Sequence, residues 1–522
     1  MPKTSSGFFL DRKSIQFAVD SILQIGDGDV FPRLFEFQVI HLLGEYAIDE
    51  LCRKDLSNYY NIRSHRSAMI PKDTYSIRKV TQLDPIDSII FTAIIHQFGQ
   101  EFEKLRRPVS ENTVFSNRFK PSSGGHLYDT SINWTTFWKH SINMAHKYEY
   151  ALFVDISDFY NQINHHTLEN ELDRVSLPNQ VKKWIRELCQ ATTVKISSGI
   201  PVGPHASHLI AELTLCSTDD ALIDYGFPFC RYVDDYIFFA NSQTEMQKIA
   251  YRFGYMIDKH QKLVMNRQKT KLMNKSQFIE HCKKMIDDRP INSIDATLTR
   301  IIKKHSSSDP YKPVSLSDLN NDELAVFTKD NIEKILNQYL LEEDPNYIRI
   351  RWFIRRLTQI GHPAAVDFLV GNLNRLLPAI SEICRYINSI KSEDHADWKE
   401  IGKNIIEYLE NPIISSLEYM KMTIVSLCAQ NKRYNNSPLL MELYDKVSSE
   451  VKRKIILFAL NHDSKGFVKA QKENFSNQSP WERRAFLYAV SILSRDEKKF
   501  FLSTVKTDDI MESFIMKWVK NN

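Results

Sequence analysis

Hydrophobic and polar positions change character about halfway along the chain. Up to about residue 285, apolar runs of strand length alternate with amphipathic helical stretches. Farther on, strand-like runs almost disappear, and helical patterns follow one another, separated by prolines that are typical of helix starts. The pattern predicts an α+β part over residues 1–302, a linker over 303–324 and an all-α part over 325–522.

Two apolar runs end in carboxylates. Tyr150–Val154 predicts a buried strand that ends at Asp155, and Arg231–Phe239 predicts a β-hairpin with Asp234 and Asp235 at its tip. If the strands are neighbours in one sheet, the carboxylates supply hard oxygen ligands for two-metal phosphoryl transfer. The alternatives are a solvated acidic turn and, for Asp155, a helix cap.

Composition sets limits on partners and compartment. With 43% hydrophobic and 25% charged residues, the chain is typical of globular proteins, and its net charge of +4 is compatible with nucleic-acid binding without arguing for it. The seven cysteines show no paired spacing, which argues against a zinc site or a disulfide framework. Unpaired cysteines are typical of proteins in a reducing cytoplasm. We see no signal peptide and no apolar stretch of about 18 residues, so no membrane partner is expected.

Five segments, in order, resemble the motifs of reverse transcriptases over about residues 60 to 275. They are Pro71–Lys79, Asp155–Tyr160, Gly199–Ser207, Tyr232–Asp235 and Leu263–Lys271. The resemblance implies a fingers and palm domain that joins dNTPs into DNA with two Mg²⁺ ions, for which Mn²⁺ is an alternative. It also implies that Asp155 and Asp234 bridge both ions and that Asp235 completes the cluster.

The resemblance assigns roles to residues beyond the carboxylates. Lys72 and Arg78 would bind the triphosphate through a point charge and a planar fork. Lys269 would protonate the departing pyrophosphate. For these three, the alternatives are a solvated basic strand face and a helix-end lysine.

Two further segments would contact the incoming nucleotide. Tyr160 would lie under the sugar and exclude a 2′-hydroxyl, and its alternative is a core aromatic. Gly203 and Ser207 would shape the loop that meets the nascent base pair. Templated relatives commonly carry glutamine before the second glycine, where this chain has Val202.

That departure favours a narrower group. The chain resembles the bacterial abortive-infection reverse transcriptases, which protect against phage, and most of all the type carried by P2-like prophages. The motifs that carry the resemblance are Val114–Phe119, Gly199–Ser207 and the Ala211–Glu212 pair, together with the helical second half. This implies HEAT-like helical repeats in place of a thumb, although a plain helical bundle stays open. It further implies cytoplasmic DNA synthesis without a template, primed by a protein hydroxyl, a single-stranded product attached covalently, and a trimer or hexamer.

Two other functions remain open. The first is a templated RNA-directed DNA polymerase that works with a structured RNA, as in retrons and introns. The second is a polymerase fold without catalysis that serves as a scaffold, against which the complete set of acidic and basic motif residues argues.

Overall fold

The computed structural model describes residues 7–28, 30–194, 196–287, 289–307, 312–341, 345–391, 397–434 and 437–522. These residues form two compact units. The first comprises the chain up to Ser67 and Val80–Arg289, and the second comprises Ala68–Lys79 and the chain from Pro290 onward. Residues 308–311 of the predicted linker lie outside the described residues, and the predicted domain limits stay a prediction.

The regular elements through residue 289 mix helices and strands. They are α1 (Arg12–Ile25), α2 (Phe35–Leu43), α3 (Glu45–Cys52), β1 (Arg66–Pro71), β2 (Ile77–Gln82), α4 (Pro85–Glu103), α5 (Trp134–Ala145), β3 (Tyr150–Asp155), α6 (Phe159–Gln162), α7 (His165–Arg174), α8 (Asn179–Thr192), α9 (Ser207–Thr214), α10 (Cys216–Asp224), β4 (Phe229–Tyr232), β5 (Asp235–Ala240), α11 (Gln243–Gln261), β6 (Lys271–Asn274) and α12 (Lys275–Ile286). The predicted α+β character of this part is confirmed.

Strands β3 to β6 form an antiparallel sheet in the order β4-β5-β3-β6. Strands β4 and β5 make the predicted hairpin, with Val233 and Asp234 in the turn between Tyr232 and Asp235. Strand β3 lies directly beside β5, so the adjacency that the carboxylate site requires is present.

Both faces of the sheet are covered at β5. Tyr236 and Phe238 pack against Phe253 of α11, with ring centroids 4.7 and 4.9 Å away. Ile237 and Phe239 point the other way, into an apolar cluster built with α5 and α12. Burial on both faces explains why β5 is almost continuously apolar in sequence, and it holds the hairpin between α11 on one side and α5 and α12 on the other.

From residue 290 onward, every regular element in the described part of the chain is helical, as predicted. The α-helices are α13 (Ser293–Ser306), α14 (Asn321–Leu324), α15 (Lys329–Leu341), α16 (Tyr347–Ile360), α17 (Val366–Gly371), α18 (Ile380–Ser389), α19 (Trp398–Glu407), α20 (Pro412–Ser416), α21 (Glu418–Gln430), α22 (Ser437–Glu442), α23 (Ser449–Asn461), α24 (Lys465–Ala470), α25 (Pro480–Ala489), α26 (Arg495–Thr504) and α27 (Ile510–Asn521). Short 3₁₀ helices occur at Val109–Glu111, Leu316–Asp318, Pro363–Ala365, Leu373–Arg375, Leu377–Ala379, Tyr408–Glu410, Lys432–Tyr434, Tyr444–Lys446, Phe475–Asn477 and Val490–Ile492.

The longer helices of the second unit pack in chain order. Helix α16 contacts α18, which contacts α21, and the series continues through α23 and α25 to α27. Proline begins helices as predicted: Pro412 and Pro480 occupy first-turn positions behind the capping side chains of Asn411 and Ser479. Each helix therefore buries its apolar face against the preceding and following helices.

Two exclusions made from the sequence can be compared with the structure. Among the described residues, no helix combines the length and apolar character needed to cross a membrane. None of the seven cysteines, all of which are described, takes part in a disulfide.

Candidate active site

The carboxylates Asp155 and Asp235 lie opposite each other at one end of the sheet. They are paired in the register of β3 and β5, and side chains so paired have Cβ atoms about 4.5–5.5 Å apart on one face of the sheet. The backbone N–H of Ile156 donates to the carbonyl of Asp234 at 3.2 Å, which ties the hairpin turn to the end of β3. The register thus places Asp155 beside Asp235, and the backbone bond brings the turn that carries Asp234 to the same end of the sheet.

The turn that carries Asp234 is strained at one residue, and hydrogen bonds hold both the N–H and the carbonyl of that residue. Val233 has φ of 55°, a left-handed conformation that a β-branched residue rarely adopts. Such strain costs on the order of 1–3 kcal/mol and persists only where the surroundings impose it. Here the Val233 N–H donates to Ser116 Oγ at 2.8 Å, and Arg231 Nη1 donates to the Val233 carbonyl at 2.9 Å.

Behind the turn lies a buried charge network. Arg231 donates to Glu212 Oε2 at 2.8 Å and to Asp219 Oδ1 at 2.9 Å, and its side chain is fully buried. Arg106 reaches the same Glu212 oxygen at 3.0 Å, and the Ser116 hydroxyl donates to the other Glu212 oxygen. Burial opposes ionisation of Glu212, but the guanidiniums of Arg231 and Arg106 hold its pKa below the usual value. The network therefore fixes both contacts that hold Val233.

Negative charges from Asp155 and Asp234 act on Asp235 in the carboxylate cluster, and the charges of Lys269 and Arg289 oppose them. Burial, reinforced by the charges of Asp234 and Asp155, raises the pKa of Asp235 well above its usual value. Lys269 Nζ donates to Asp155 Oδ1 at 2.7 Å and is about half exposed (47%), so a cation already stands against this carboxylate. An added cation at this cluster would relieve the repulsion that, after burial, contributes to the raised pKa of Asp235.

The position of Lys269 follows from a tight turn after α11. The backbone N–H of Asn266 donates to the Asp155 carbonyl at 2.7 Å, and the Asn266 carbonyl accepts from Lys269 N–H and Thr270 N–H at 3.2 and 2.9 Å. The turn is thus pinned to the end of β3. Lys269, which lies in this turn, therefore projects toward the carboxylate of Asp155 at the end of β3.

The donor set suits a hard divalent cation. Three carboxylates on a rigid sheet end offer oxygen ligands of the kind that Mg²⁺ and Mn²⁺ prefer. Within the described ranges, no three acidic, histidine or cysteine side chains are yet arranged to hold one ion together. The cluster fits such an ion by the chemistry of its oxygen ligands, with Lys269 on Asp155 as the contact that would have to yield.

Tyr160 lies within electrostatic reach of the cluster. Its hydroxyl makes a 2.7 Å hydrogen bond with His208 Nδ1. Burial, followed by the negative charges of Glu212 and Asp234, raises the pKa of Tyr160 well above its usual value. The ring is therefore fixed beside the carboxylates, with its hydroxyl held by a protein partner.

Gly203 and Ser207 lie where the loop after α8 enters α9. Gly203 has φ of 124°, and a side chain there would approach the Thr81 carbonyl to 3.2 Å. The carbonyl of the preceding Val202 accepts from Thr81 N–H at 2.8 Å. Ser207 begins α9 and is fully buried. Glycine is thus required for close backbone packing in this loop, while Ser207 faces the interior.

Lys72 and Arg78 belong to the second compact unit, Lys72 directly after β1 and Arg78 in β2. Arg78 is exposed and Lys72 is half-buried. The structure thus brings Asp155, Asp234, Asp235, Lys269 and Tyr160 together within the first unit and carries the two triphosphate candidates on a hairpin of the second.

Sequence reasoning did not assign roles to Ser116, Glu212 or Arg231, although Ser116 and Glu212 lie in motifs that carry the resemblance and Arg231 directly precedes one. A signal was present at Arg231, because a buried arginine inside an otherwise apolar strand must find carboxylate partners. Which carboxylates these are, however, depends on contacts between distant parts of the chain.

Comparison with known proteins gives a family match. Residues 70–327 match the family described as "Reverse transcriptase (RNA-dependent DNA polymerase)", whose members use divalent metal ions. No curated protein matches the chain.

Two solved structures are similar to part of the chain. The apo telomerase of Candida tropicalis is 10% identical, with a TM-score of 0.31 over 66% of this chain and 68% of that one. The telomerase of Candida albicans in complex with a TWJ fragment of telomeric RNA is 13% identical, with a TM-score of 0.29 over 70% of this chain and 66% of that one.

Proposed function

This chain contains a nucleotidyltransferase domain of the reverse transcriptase type, and we propose that it joins dNTPs into DNA at the Asp155–Asp234–Asp235 cluster. The observation that supports the proposal most strongly is the register of β3 and β5, which pairs Asp155 with Asp235 beside a strained turn. Nucleotidyl transfer needs carboxylates that converge from separate elements on a rigid base.

In this proposal, Asp155 and Asp234 hold two Mg²⁺ ions, or Mn²⁺, and Asp235 completes the cluster. Bound there, the ions supply a lowered pKa for the attacking hydroxyl and positive charge for the triphosphate. The buried network behind Val233 keeps the turn from relaxing, so the carboxylates are in place before substrate arrives.

Basic side chains act on the leaving group. Lys72 and Arg78 bind the triphosphate and neutralise charge as the bond to pyrophosphate breaks. Lys269, which is half exposed and held near Asp155, donates a proton to the departing pyrophosphate. Tyr160 excludes a 2′-hydroxyl by steric contact, and its bond to His208 keeps the ring from turning away.

We further propose that synthesis is untemplated and primed by a protein hydroxyl in defence against phage. The support is the resemblance to abortive-infection enzymes and the presence of Val202, an apolar side chain where templated relatives commonly carry glutamine. Tyrosine is the best primer, because its phenol pKa of about 10 is lower than that of an alcohol. The chain has 22 tyrosines from which the primer would come.

Covalent priming predicts DNA that stays on the protein after denaturation. Purify the full chain from cells, denature it, digest it with nuclease and protease, and analyse the peptides by mass spectrometry. We expect a nucleotide mass on one tyrosine-containing peptide. Because attachment requires catalysis, protein carrying Asp234→Asn and purified in the same way should show none.

Two alternatives make different predictions in that experiment. If all DNA separates from the denatured protein, priming is not covalent, and a templated polymerase working with a structured RNA becomes the better account. If the full chain incorporates no dNTP with or without an RNA template, the scaffold alternative replaces both.

The architecture of the second unit, the cellular location and the oligomeric state are proposed from the same resemblance. We propose that the helical second unit forms HEAT-like repeats, a proposal supported by the chain-order packing of α16 through α27. We also propose that the protein works in the bacterial cytoplasm as a trimer or hexamer.

A further inference from the structure

One arginine of α16 holds the backbone of the hairpin segment that carries Lys72. Arg351 Nη2 donates to the Lys72 carbonyl at 2.9 Å, and Nη1 donates to the Pro71 carbonyl at 3.1 Å. The same Nη1 reaches the Pro378 carbonyl at 3.2 Å, so the guanidinium joins the hairpin to the stretch before α18. A planar fork suits such paired contacts, whereas a lysine could not reproduce them.

A second contact ties the tip of the hairpin to the same helix. Tyr347, the first residue of α16, is buried, and its hydroxyl accepts from Thr74 Oγ1 at 3.3 Å. That hydroxyl in turn donates to the Arg375 carbonyl at 2.9 Å. The hairpin is therefore held at two positions one turn apart on α16.

The tip is ordered by its own hydrogen bonds. Lys72 N–H donates to the Ser76 carbonyl at 2.8 Å, and Asp73 accepts from Tyr75 N–H and Ser76 N–H at 2.9 and 2.7 Å. The Ser76 hydroxyl also donates to Asp73 and is the main reason why the pKa of Asp73 is lowered. Because these hydrogen bonds fix the conformation of the tip, its contacts with α16 determine its position.

The charge around this attachment favours an anion. Arg351 is half-buried, and burial, opposed by Glu382 and reinforced by Arg355 and Arg78, lowers its pKa. Arg355 donates to Glu382 at 2.7 Å, and Arg78, whose charge acts on Arg351, is exposed. Two neighbouring cations repel each other, so an anionic ligand at Arg78 would be bound more strongly than by Arg78 alone.

We propose that Arg351 is a positioning residue for the nucleotide triphosphate. It sets the place of Lys72 and Arg78 by holding the carbonyls of Pro71 and Lys72, and Tyr347 supports the same placement. The inference rests on the proposed function, in which Lys72 and Arg78 bind the triphosphate. It gives the helical half of the chain a direct part in substrate affinity.

The test compares Arg351→Ala with Arg355→Ala in the full-length protein. Both changes remove one guanidinium from α16; that of Arg351 donates to hairpin carbonyls, whereas that of Arg355 donates to Glu382. We expect Arg351→Ala to raise the dNTP KM about tenfold or more with kcat changed less than about threefold, because small displacements of binding groups are costly. Arg355→Ala should leave KM within about twofold of wild type.

A second readout does not depend on activity. Backbone hydrogen exchange within residues 70–79 should become about tenfold faster in Arg351→Ala and stay unchanged in Arg355→Ala. Should Arg351→Ala fail to fold, Tyr347→Phe, which removes only one hydroxyl, should shift both readouts in the same direction by about threefold.

The outcomes distinguish the positioning role of Arg351 from the proposed function on which that role rests. An unchanged KM in Arg351→Ala, an equal rise in Arg355→Ala, or unchanged exchange in the hairpin would each overturn the positioning role while nucleotide incorporation by the wild type persists. Absence of incorporation by the wild type would overturn the proposed function itself. The exchange experiment would then still show whether Arg351 holds the hairpin.

Discussion

Replacing Asp234 with asparagine is expected to reduce nucleotide incorporation on the order of a thousandfold, which corresponds to about 4 kcal/mol of lost transition-state stabilisation. The change keeps the size of the side chain but removes the charge that would hold a metal ion. Asp155→Asn should act in the same way. Incorporation is measured with labelled dNTPs and purified full-length protein at saturating Mg²⁺.

The fold should survive this change. Asp234 contributes to the repulsion that raises the pKa of half-buried Asp235, so removing its charge should leave the melting temperature unchanged or higher. Asp224→Asn, at an exposed carboxylate that ends α10, is the matched control and should retain full activity. Normal incorporation by a well-folded Asp234→Asn protein would favour the scaffold alternative. If the proposed defence role holds, phage protection should be lost together with incorporation.

Removing the buried guanidinium behind the turn should have the largest effect on stability. Arg231→Met keeps a long side chain but leaves Glu212 and Asp219 buried with one fewer cation. Breaking a buried ion pair in this way costs about 3–5 kcal/mol of unfolding free energy. The change also removes the donor to the Val233 carbonyl, so activity should fall even in conditions where the protein remains folded.

Chemical denaturation measures this loss, and Arg107→Met provides the comparison. Arg107 also contacts two carboxylates, Glu111 and Asp220, but its side chain is 25% exposed. Its loss should cost no more than about 1 kcal/mol. If both variants unfold at similar denaturant concentrations, the buried network does not stabilise the palm in the way described.

The elements that carry the carboxylates could be predicted from the sequence because their signals are local. Tyr150–Val154 is an apolar run followed by an aspartate, and Arg231–Phe239 places two aspartates between strand-forming residues. The structure has both strands at those positions. The pairing of Asp155 with Asp235 was only a condition in the sequence argument, since no local pattern states which strands are neighbours.

Long-range polar contacts lay beyond such reasoning. The contacts of Ser116 with Glu212 and Val233 join three distant segments, and nothing near Ser116 in sequence indicates them. The contacts of Arg351 with the hairpin could not be predicted from the sequence either. Their acceptors are backbone carbonyls, which every residue has. This is also why residues 68–79 could not be assigned to the helical unit from their strand-like sequence.

The central claim is that metal ions held by Asp155 and Asp234 act on the reacting phosphate, and sulfur substitution tests it most directly. Incorporation rates for each α-thio dNTP isomer and for the parent dNTP are compared in Mg²⁺ and in Mn²⁺ or Cd²⁺, using the full-length wild-type protein. Because Mg²⁺ binds sulfur poorly and softer ions bind it well, one isomer should be incorporated about tenfold more slowly, or worse, in Mg²⁺ and recover in the softer metal. Equal ratios of thio to parent rates in all metals, for both isomers, would contradict the account.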